Sequence, residues 1–346
     1  MHALRLDELL DKFSRLKILV FGDYFLDWYL TLDPKWTEVS AETGLDALQV
    51  AAVRCDPGGA GATTSNLRAL GIHTTALGAL GDDGLGLELR RALEKTGVDV
   101  LPLVTVPEWM TCAYTKPMMR EKSGARELNR FDFKNRVPLP RDAEGCLVER
   151  LRSLAPHVDG IVIVDHATPA DCGCVTKATR LALESLAAEF PEKIFIADSR
   201  WFIGEFRGVF LKPNAREALR AVTGETVKDA NTDPRLQHCA DELLARCGRG
   251  VIITLAEHGM LARDKEHTTR VPTIPPDGAI DVVGCGDAAM AGISAALCAG
   301  ATLREAAAVG NLCSAVTIRQ IGTTGTATRE QVTEMAQRFR KAGLML

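Results

Sequence analysis

The segment spanning residues 281–287 combines two glycines with a carboxylate that opens an apolar helix. It reads Asp-Val-Val-Gly-Cys-Gly-Asp and runs into the uncharged stretch 288–303. Around Gly284 and Gly286, backbone N–H groups and the helix dipole can converge on an anion beside the carboxylate of Asp287. Phosphoryl transfer to an alcohol needs this combination, because the anion must be neutralised while a base accepts the hydroxyl proton. An aspartate that merely caps an ordinary helix is the alternative that these residues leave open.

A second glycine-rich turn lies where an extended segment enters a helix, at Pro57-Gly-Gly-Ala-Gly-Ala-Thr-Thr. Gly58 and Gly59 would let the backbone approach a ligand closely, and a tight turn without a ligand is the alternative. Asp23 and Asp27 follow the first predicted strand, four residues apart. Carboxylates suit paired sugar hydroxyls because each can accept two hydrogen bonds, although both could instead be solvated loop residues.

Two further junctions are candidates for binding a metal ion and a nucleotide. In Lys212-Pro-Asn-Ala-Arg-Glu, the oxygens of Asn214 and Glu217 are three residues apart and could hold a hydrated Mg²⁺. The same pair could instead form a capping box at the start of a helix. The segment 254–259 suits the wall of a nucleotide pocket, with a plain hairpin turn as the alternative. His166 lies at the presumed cleft mouth, where a packed or solvated histidine is the favoured interpretation over a catalytic one.

Familiar nucleotide and metal motifs are missing from the sequence. It contains no G-x-x-x-x-G-K-[ST], so a nucleotide phosphate would not bind through a P-loop. The glycine-rich segment 81–86 lacks the full G-x-G-x-x-G of dinucleotide-binding proteins. The closest cysteine pairs, at 172 and 174 and at 239 and 247, lack the spacing of a zinc site.

Composition excludes several classes of partner. The chain has 346 residues, 46% of them hydrophobic, and a formal net charge of −4. An isoelectric point near 6.0 gives no basic field for nucleic acid. The uncharged stretch 288–303 is too short and too interrupted by glycine to span a membrane. The 10 cysteines are spread over predicted strands and helices, so we expect reduced thiols and a cytoplasmic protein.

Short apolar runs, separated by stretches long enough for helices, predict an α/β fold with a mostly parallel sheet. The runs lie at residues 17–22, 160–165, 193–198, 208–212 and 250–255. Polar residues lie at or just after the ends of these runs: Asp23, Asp165, Asp198, Lys212 and Thr254. Because the ligand crevice of such sheets lies at the carboxyl ends of the strands, we expect these side chains to face one cleft.

Two segments, at residues 29–54 and approximately 101–136, do not show this alternation of apolar runs and predicted helices. They are richer in β-branched residues and are punctuated by prolines, which predicts short strands of a second sheet. We predict a single domain over residues 1–346, in which these two segments form a small β-sheet lid at one edge. A lid can exclude water from phosphoryl transfer, and its exposed strand edges favour a homodimer.

Taken together, the motifs resemble the ribokinase-like (PfkB) family of carbohydrate kinases, and the resemblance covers nearly the whole chain. The motifs that carry it are Gly22-Asp-Tyr-Phe-Leu-Asp27, Gly58-Gly-Ala-Gly-Ala62, Lys212-Pro-Asn-Ala-Arg-Glu217, Asp281-Val-Val-Gly-Cys-Gly-Asp287 and the tail from Gly310 to Thr323. The resemblance implies a three-layer domain with a mostly parallel central sheet and a β-sheet lid. It also implies an enzyme that transfers the γ-phosphoryl group of ATP to a hydroxyl of a sugar or sugar phosphate.

The resemblance assigns expected roles to individual residues. Asp287 would be the catalytic base, and the amides of Gly284, Cys285 and Gly286 would form the anion hole. The expected acceptor contacts are Asp27, Gly58 and Gly59, and we add Asp23, Asp165 and Arg130 as candidates. The expected ATP contacts are Lys212, Asn214, Glu217, Thr254, Glu257, Gly259 and Asn311. Asn214 and Glu217 would hold Mg²⁺ through water, and the backbone of Asp281 and Val283 would bind a monovalent cation such as K⁺.

Within this family, the sequence is most similar to the kinase domain of heptose-phosphate kinase/adenylyltransferases. The segments that carry this similarity are 39–42, 129–133, 198–200 and 206–208. The chain contains no His-x-Gly-His, so we expect only the kinase reaction. It departs from those enzymes at Glu38, where they carry Arg, and at 166–169, where they carry Tyr-Ala-Lys-Gly. A nucleoside kinase of the same fold and a non-catalytic sugar- or nucleotide-binding protein remain the alternatives.

Overall fold

The computed structural model describes residues 1, 3–122, 124–169 and 171–344. In chain order its strands are β1 (Lys17–Gly22), β2 (Tyr24–Leu32), β3 (Glu38–Val39), β4 (Asp46–Ala47), β5 (Val50–Gly59), β6 (His73–Leu77), β7 (Ala79–Gly81), β8 (Val104–Val106), β9 (Ala113–Glu121), β10 (Gly124–Glu127), β11 (Phe131–Phe133), β12 (Gly160–Asp165), β13 (Ile194–Ser199), β14 (Phe210–Leu211), β15 (Val251–Thr254), β16 (Met260–Arg263) and β17 (Thr268–Val271). Its α-helices are α1 (Ala3–Phe13), α2 (Ala60–Ala69), α3 (Gly84–Lys95), α4 (Arg141–Leu154), α5 (Lys177–Glu189), α6 (Ala215–Thr223), α7 (Leu236–Cys247), α8 (Cys285–Cys298), α9 (Leu303–Thr317) and α10 (Arg329–Lys341).

The central sheet has eight strands in the order β17-β16-β15-β14-β13-β12-β1-β6. Strands β6, β1, β12, β13, β14 and β15 run parallel, and β16 and β17 add an antiparallel edge. The predicted mostly parallel α/β sheet is therefore confirmed. The predicted strands at 17–22 and 160–165 have the predicted bounds, whereas the predicted strand at 208–212 is only two residues long.

Helices cover both faces of this sheet, which explains why its strands read as continuous apolar runs. Ile18 and Val20 of β1 point into a core shared with α1, α2, α8, α9 and α10. Leu19 and Phe21 of the same strand point into the opposite core, shared with α4, α5, α6 and α7. Alternate side chains of one strand thus bury against two separate helical layers, giving the predicted three-layer arrangement.

A separate five-stranded sheet lies beside the core in the order β10-β9-β2-β5, with β11 also paired to β9. It corresponds to the predicted lid, but its boundaries differ from the prediction. The first lid strand begins at Tyr24 rather than at residue 29, so the chain passes from β1 into the lid across Asp23 alone. Residues 104–106 pair instead with β7 in a small sheet of their own, and the second lid segment begins at Ala113.

No helix within the described residues is both long and apolar enough to cross a bilayer.

Candidate active site

The first turn of α8 carries the carboxylate that the sequence singled out. Gly284 precedes this helix with a φ of 77°, a left-handed conformation that favours glycine. Asp287 follows on the first turn, half-buried, and Thr63 of α2 donates a hydrogen bond of 3.4 Å to its Oδ1. Burial raises the pKa of Asp287 to about 6, although the positive charge of His166 opposes that rise. A carboxylate with such a pKa is still ionised at neutral pH and is a stronger base than an exposed aspartate.

One N–H group of the predicted anion hole is already hydrogen-bonded within the turn. The N–H of Cys285 donates to the carbonyl of Val282 at 3.3 Å. The N–H groups of Gly286 and Asp287 lie in the first turn of α8, where the helix supplies no carbonyl partner. Of the predicted anion-hole amides, the N–H of Cys285 is thus engaged within the turn, while the helix N terminus still offers the N–H of Gly286 to an anion.

The side chain of Asp281 holds this loop against the C-terminal part of the chain. Its Oδ1 accepts from the N–H of Val283 at 3.0 Å, and its Oδ2 accepts from the N–H of Gly322 at 2.8 Å. Both carboxylate oxygens thus have backbone partners. Val283 is exposed, and its carbonyl and that of Asp281 remain the predicted ligands of a monovalent cation.

The predicted acceptor side is built on the lid. Asp27 lies in β2 rather than in a loop, and Lys116 of β9 places its Nζ 2.8 Å from Asp27 Oδ1. Gly58 in β5 lies directly beside this carboxylate, since a Cβ there would approach Asp27 Oδ2 to 2.9 Å. Gly59 has a φ of 58° and ends the strand at the start of α2. Gly58 therefore leaves space for the Asp27 carboxylate, while Gly59 shapes the turn into the helix.

Two of the predicted acceptor residues are engaged within the fold. Asp23 is 4% exposed, and its carboxylate accepts from the N–H groups of His166, Ala167 and Cys174 at 2.7–2.8 Å. Asp165 accepts at 2.6 Å from the hydroxyl of Ser199, and burial, followed by the charge of Asp23, raises its pKa to about 7. The geometry points to structural roles for both, because three amides leave the Asp23 carboxylate little capacity to bind a ligand.

Arg130 lies on the outer part of the lid, where it binds Asp132 through two hydrogen bonds of 2.6 and 3.0 Å. Its guanidinium also lies 4.6 Å from the centroid of the Tyr114 ring. Tyr114 and Phe25 form a tilted aromatic pair, with ring centroids 5.5 Å apart. These two rings and His166 line a small recess between the lid and the core, together with Cys112, Lys134, Asn135, Ala167, Thr168 and Cys172. Arg130 is therefore close to this recess but already paired.

Asn214 and Glu217 form the capping box that the sequence left open as an alternative. The Asn214 side chain accepts from the N–H of Glu217 at 2.9 Å, and Glu217 accepts from the N–H of Asn214 at 2.8 Å. Burial and the charge of Asp198 raise the pKa of Glu217. Lys212 is buried and forms an ion pair of 2.7 Å with Asp198. Across residues 1, 3–122, 124–169 and 171–344, no group of three His, Cys, Asp or Glu side chains is arranged to hold a metal ion.

A cavity of about 320 Å³ lies between the β15–β16 turn and helices α8 and α9. Its walls include the predicted nucleotide residues Asn214, Thr254, Glu257, Gly259 and Asn311, together with Cys285 and Gly286 of the α8 turn. The cavity therefore opens onto the same helix N terminus that carries Asp287. The structure thus brings five of the seven predicted nucleotide residues and two of the three predicted anion-hole residues together around one space. Lys212, Glu217 and Gly284 are not part of its wall.

Two of these wall residues fix the shape of the cavity. Gly259 has a φ of 79°, and a Cβ there would meet the carbonyl oxygen of Val271 at 2.1 Å. The Asn311 amide donates to the carbonyls of Val271 and Pro272, both at 3.1 Å. Gly259 therefore allows a close approach to the end of β17, and Asn311 holds Val271 and Pro272 in place.

Several residues of the site carry no recognisable sequence signal. Thr63 lies near the end of the glycine-rich segment 57–64, and nothing in that segment indicates that its hydroxyl contacts Asp287. Asn231 lines the cavity from a short 3₁₀ helix, and Ile274, Pro276 and Ile280 line it from an irregular segment. Such wall residues depend on the tertiary path of the chain rather than on local pattern.

A three-layer α/β core with a β-sheet lid over the carboxyl ends of its strands defines the ribokinase-like class of folds. The chain belongs to the pfkB family of carbohydrate kinases, whose family model matches residues 17–330. It is similar in structure to Arabidopsis thaliana ribokinase complexed with ribose and ATP, with a TM-score of 0.67 and 15% identity over 92% of this chain and 98% of that one. It is also similar to Escherichia coli phosphofructokinase-2 in complex with potassium, with a TM-score of 0.68 and 20% identity over 94% and 99% of the two chains. These likenesses confirm the predicted fold.

Curated relatives are similar in sequence over most of this chain. The bifunctional protein HldE of Trichlorobacter lovleyi is 28% identical over 92% of this chain and 62% of its own length. The protein of the same name from Magnetococcus marinus is 29% identical over 90% of this chain and 62% of its own length. The chain therefore spans about six tenths of these two relatives, and the predicted resemblance within the family is confirmed.

Proposed function

We propose that this protein transfers the γ-phosphoryl group of ATP to a hydroxyl of a sugar or sugar phosphate. One observation carries the proposal: the cavity bounded by Thr254, Gly259 and Asn311 opens onto the α8 N terminus, where Asp287 is held as a base with a pKa of about 6. Family membership supports a sugar as acceptor. The resemblance of the sequence to heptose-phosphate kinases favours, more narrowly, a sugar phosphate as acceptor.

In this proposal one group of residues acts at the transferring phosphoryl group, and a second group binds the acceptor. Asp287 accepts the proton of the attacking hydroxyl, while the N–H groups at the start of α8 neutralise charge on the transferring group. On the acceptor side, Asp27 binds hydroxyls beside Gly58, and Arg130 contributes only if it is released from Asp132.

The metal ions and the assembly belong to the same proposal. Asn214 lines the cavity and Glu217 is its capping-box partner, so this pair would hold a hydrated Mg²⁺ that shields the phosphates of ATP. The carbonyls of Asp281 and Val283 would bind K⁺. A cytoplasmic homodimer formed through the lid completes the proposal.

Asp287→Asn tests the proposal directly. ADP release would be followed over a panel of free sugars, sugar phosphates and nucleosides, and ATP binding would be measured by calorimetry. We expect one sugar or sugar phosphate to stimulate ADP release in the natural protein, and Asp287→Asn to lower that rate about 10²–10⁴-fold with ATP binding retained. An unimpaired variant contradicts the mechanism. Stimulation by purine nucleosides alone would identify a nucleoside kinase, and tight ATP binding with a silent panel would identify a binding protein.

A further inference from the structure

The 320–326 segment, between α9 and α10, contacts both the lid and the loop that leads into α8. The side chain of Gln320 closes the base of this segment: it accepts from the N–H of Thr326 at 3.1 Å and donates to the carbonyl of the same residue at 2.7 Å. Asn66 of α2 donates to the carbonyl of Gly325 at 3.2 Å. These contacts, none of which involves the lid, give the segment a defined shape.

Gly322 is hydrogen-bonded from two sides of the proposed site. Its N–H donates at 2.8 Å to Oδ2 of Asp281, in the loop before α8. Its carbonyl accepts at 2.7 Å from the guanidinium of Arg54, in lid strand β5. Gly322 has a φ of 71°, a left-handed conformation that favours glycine. One residue of the segment thus joins the lid to the loop that enters α8.

Thr324 makes a second connection between the same two sides. Its hydroxyl donates at 3.5 Å to Oδ2 of Asp27, the carboxylate that we propose to bind the acceptor. A Cβ added to Gly284 would lie 3.1 Å from the Cγ2 of Thr324, so the segment also lies close against the turn before α8. The segment therefore contacts the lid at two points and the loop before α8 at two points.

Arg54 is itself oriented within the lid. Its guanidinium lies 4.1 Å from the centroid of the Tyr29 ring, and one of its nitrogens lies 3.1 Å from Oδ2 of Asp56. A guanidinium carries five N–H donors in a fixed plane, so it can keep these contacts and still donate to a carbonyl. The side chain is 42% exposed and fills no part of a core, so its removal should break the bond to Gly322 without leaving a buried cavity.

We propose that Arg54 is a positioning residue for phosphoryl transfer, which acts on the α8 turn through the 320–326 segment. Arg54 fixes the carbonyl of Gly322, and the N–H of Gly322 fixes one oxygen of Asp281. The other oxygen of Asp281 holds the N–H of Val283, two residues before α8 begins. The inference rests on the proposed function, because it gives a lid residue an effect on the transfer step as well as on the acceptor side.

Hydrogen exchange can test this connection in the protein without nucleotide or acceptor. ¹H–¹⁵N NMR would follow the N–H groups of Gly322 and Val283, which donate to the same carboxylate. Loss of one hydrogen bond changes a local opening equilibrium by about 2–10-fold, so we expect both amides to exchange faster by about this factor in Arg54→Met. Arg120→Met breaks a pair with Asp33 in the same lid, and this matched control should leave both rates unchanged.

The amides of β1 and β12 report on the core, and their exchange should be the same in all three proteins. Unchanged exchange at Gly322 and Val283 in Arg54→Met would overturn the proposal, and so would faster exchange confined to the lid strands. Faster exchange throughout the core would overturn it too, because Arg54 would then support the whole fold. None of these results depends on kinase activity, so the proposed function can fail while the connection is found, or survive while the connection is absent.

Steady-state kinetics separate an effect on the transfer step from an effect on acceptor binding. With the acceptor found in the panel, Arg54→Met should lower kcat roughly 10–100-fold, because small misplacements of reacting groups cost this much, while KM for the acceptor changes little. Arg120→Met should leave both parameters unchanged. A raised KM with an unchanged kcat would restrict Arg54 to acceptor binding and would contradict the proposal.

Discussion

The ammonium nitrogen of Lys116 lies 2.8 Å from Oδ1 of Asp27, and both side chains are almost fully buried within the lid. Lys116 also donates to the hydroxyl of Tyr29 at 3.1 Å. The carboxylate that we propose to bind the acceptor is therefore held in place by a neighbouring lid strand. An acceptor hydroxyl would meet an ion pair rather than an isolated charge.

Lys116→Met should destabilise the protein strongly. Removing one partner of a buried ion pair leaves an uncompensated charge, so we expect the free energy of unfolding to fall by about 3–5 kcal/mol. Urea unfolding would measure it, and the Asp27→Asn/Lys116→Met double variant should recover most of the loss. Arg91→Met, which breaks the exposed pair with Glu88, is the control and should cost less than about 1 kcal/mol. Equal losses in the single and double variants would show that Lys116 acts by packing alone.

Gly58→Ala should impair the acceptor side without affecting nucleotide binding. The added Cβ would lie 2.9 Å from Asp27 Oδ2 and would displace that carboxylate. We expect kcat/KM for the acceptor to fall roughly 10–100-fold, since small misplacements of a positioning group cost this much, while ATP affinity stays unchanged. Gly145→Ala, at a helical position with open space around it, is the matched control. Unchanged acceptor kinetics in Gly58→Ala would remove Asp27 from the acceptor site.

The rate of phosphoryl transfer should fall in acid with the titration of Asp287. Because the base must be ionised and burial raises its pKa to about 6, activity should be lost as the pH falls through about 6. Below that point we expect roughly a tenfold loss per pH unit in kcat/KM. Steady-state kinetics across a range of buffers would check this. An acidic limb centred near the ordinary aspartate range would contradict the assignment of Asp287.

Asp287→Asn should stabilise the fold at neutral pH. The folded-state pKa of about 6 lies above that of an aspartate in an unfolded chain, so the folded state binds more protons between the two values. Stability contributed by the protonated carboxyl is thus lost as the pH rises to about 6. We expect the variant to gain about 1–3 kcal/mol in the free energy of unfolding near pH 7.5, and little near pH 4. A gain that is independent of pH would contradict this explanation.

Gly259→Ala should damage the nucleotide cavity. The residue has a φ of 79°, and its Cβ would meet the Val271 carbonyl oxygen at 2.1 Å, so the turn must move. We expect a loss of about 1–3 kcal/mol in stability together with weaker ATP binding by calorimetry. Gly84→Ala, which has open space and no left-handed backbone, serves as the control. Normal ATP affinity in Gly259→Ala would separate this turn from the nucleotide site.

The parts of the site that the sequence predicted are those with a local signature. The turn at Gly284 and the carboxylate of Asp287 can be recognised because the few residues from Gly284 to Asp287 determine both the conformation of the turn and the side chain that it presents. The pairing of Asp27 with Lys116 is different, because it depends on the parallel register that sets Asp27 opposite Tyr114 and Tyr29 opposite Lys116. No pattern within either strand specifies that register.

Asp23 is a second residue whose partners cannot be predicted from the local sequence. As a carboxylate at the end of a strand it fits a ligand contact, yet its amide partners at His166, Ala167 and Cys174 come from a loop more than 140 residues later in the chain. The sequence predicts a lid that begins too late, at residue 29, because Phe25 and Leu26 extend the apolar run of β1. Their membership in a second sheet depends on pairing with β5 and β9.

The chain enters the lid at Tyr24 directly from β1 and leaves it at Gly59 directly into α2, and these two residues are paired opposite each other. Entry and exit therefore stand side by side, so the strands beyond them can lengthen, shorten or change side chains without moving either core element. The second lid segment, at residues 113–133, would have to be exchanged with these strands, because β9 pairs with β2. Acceptor preference can then diverge during evolution while the groups at the start of α8 are inherited unchanged, which makes the lid the natural segment to graft when this scaffold is redesigned for another alcohol.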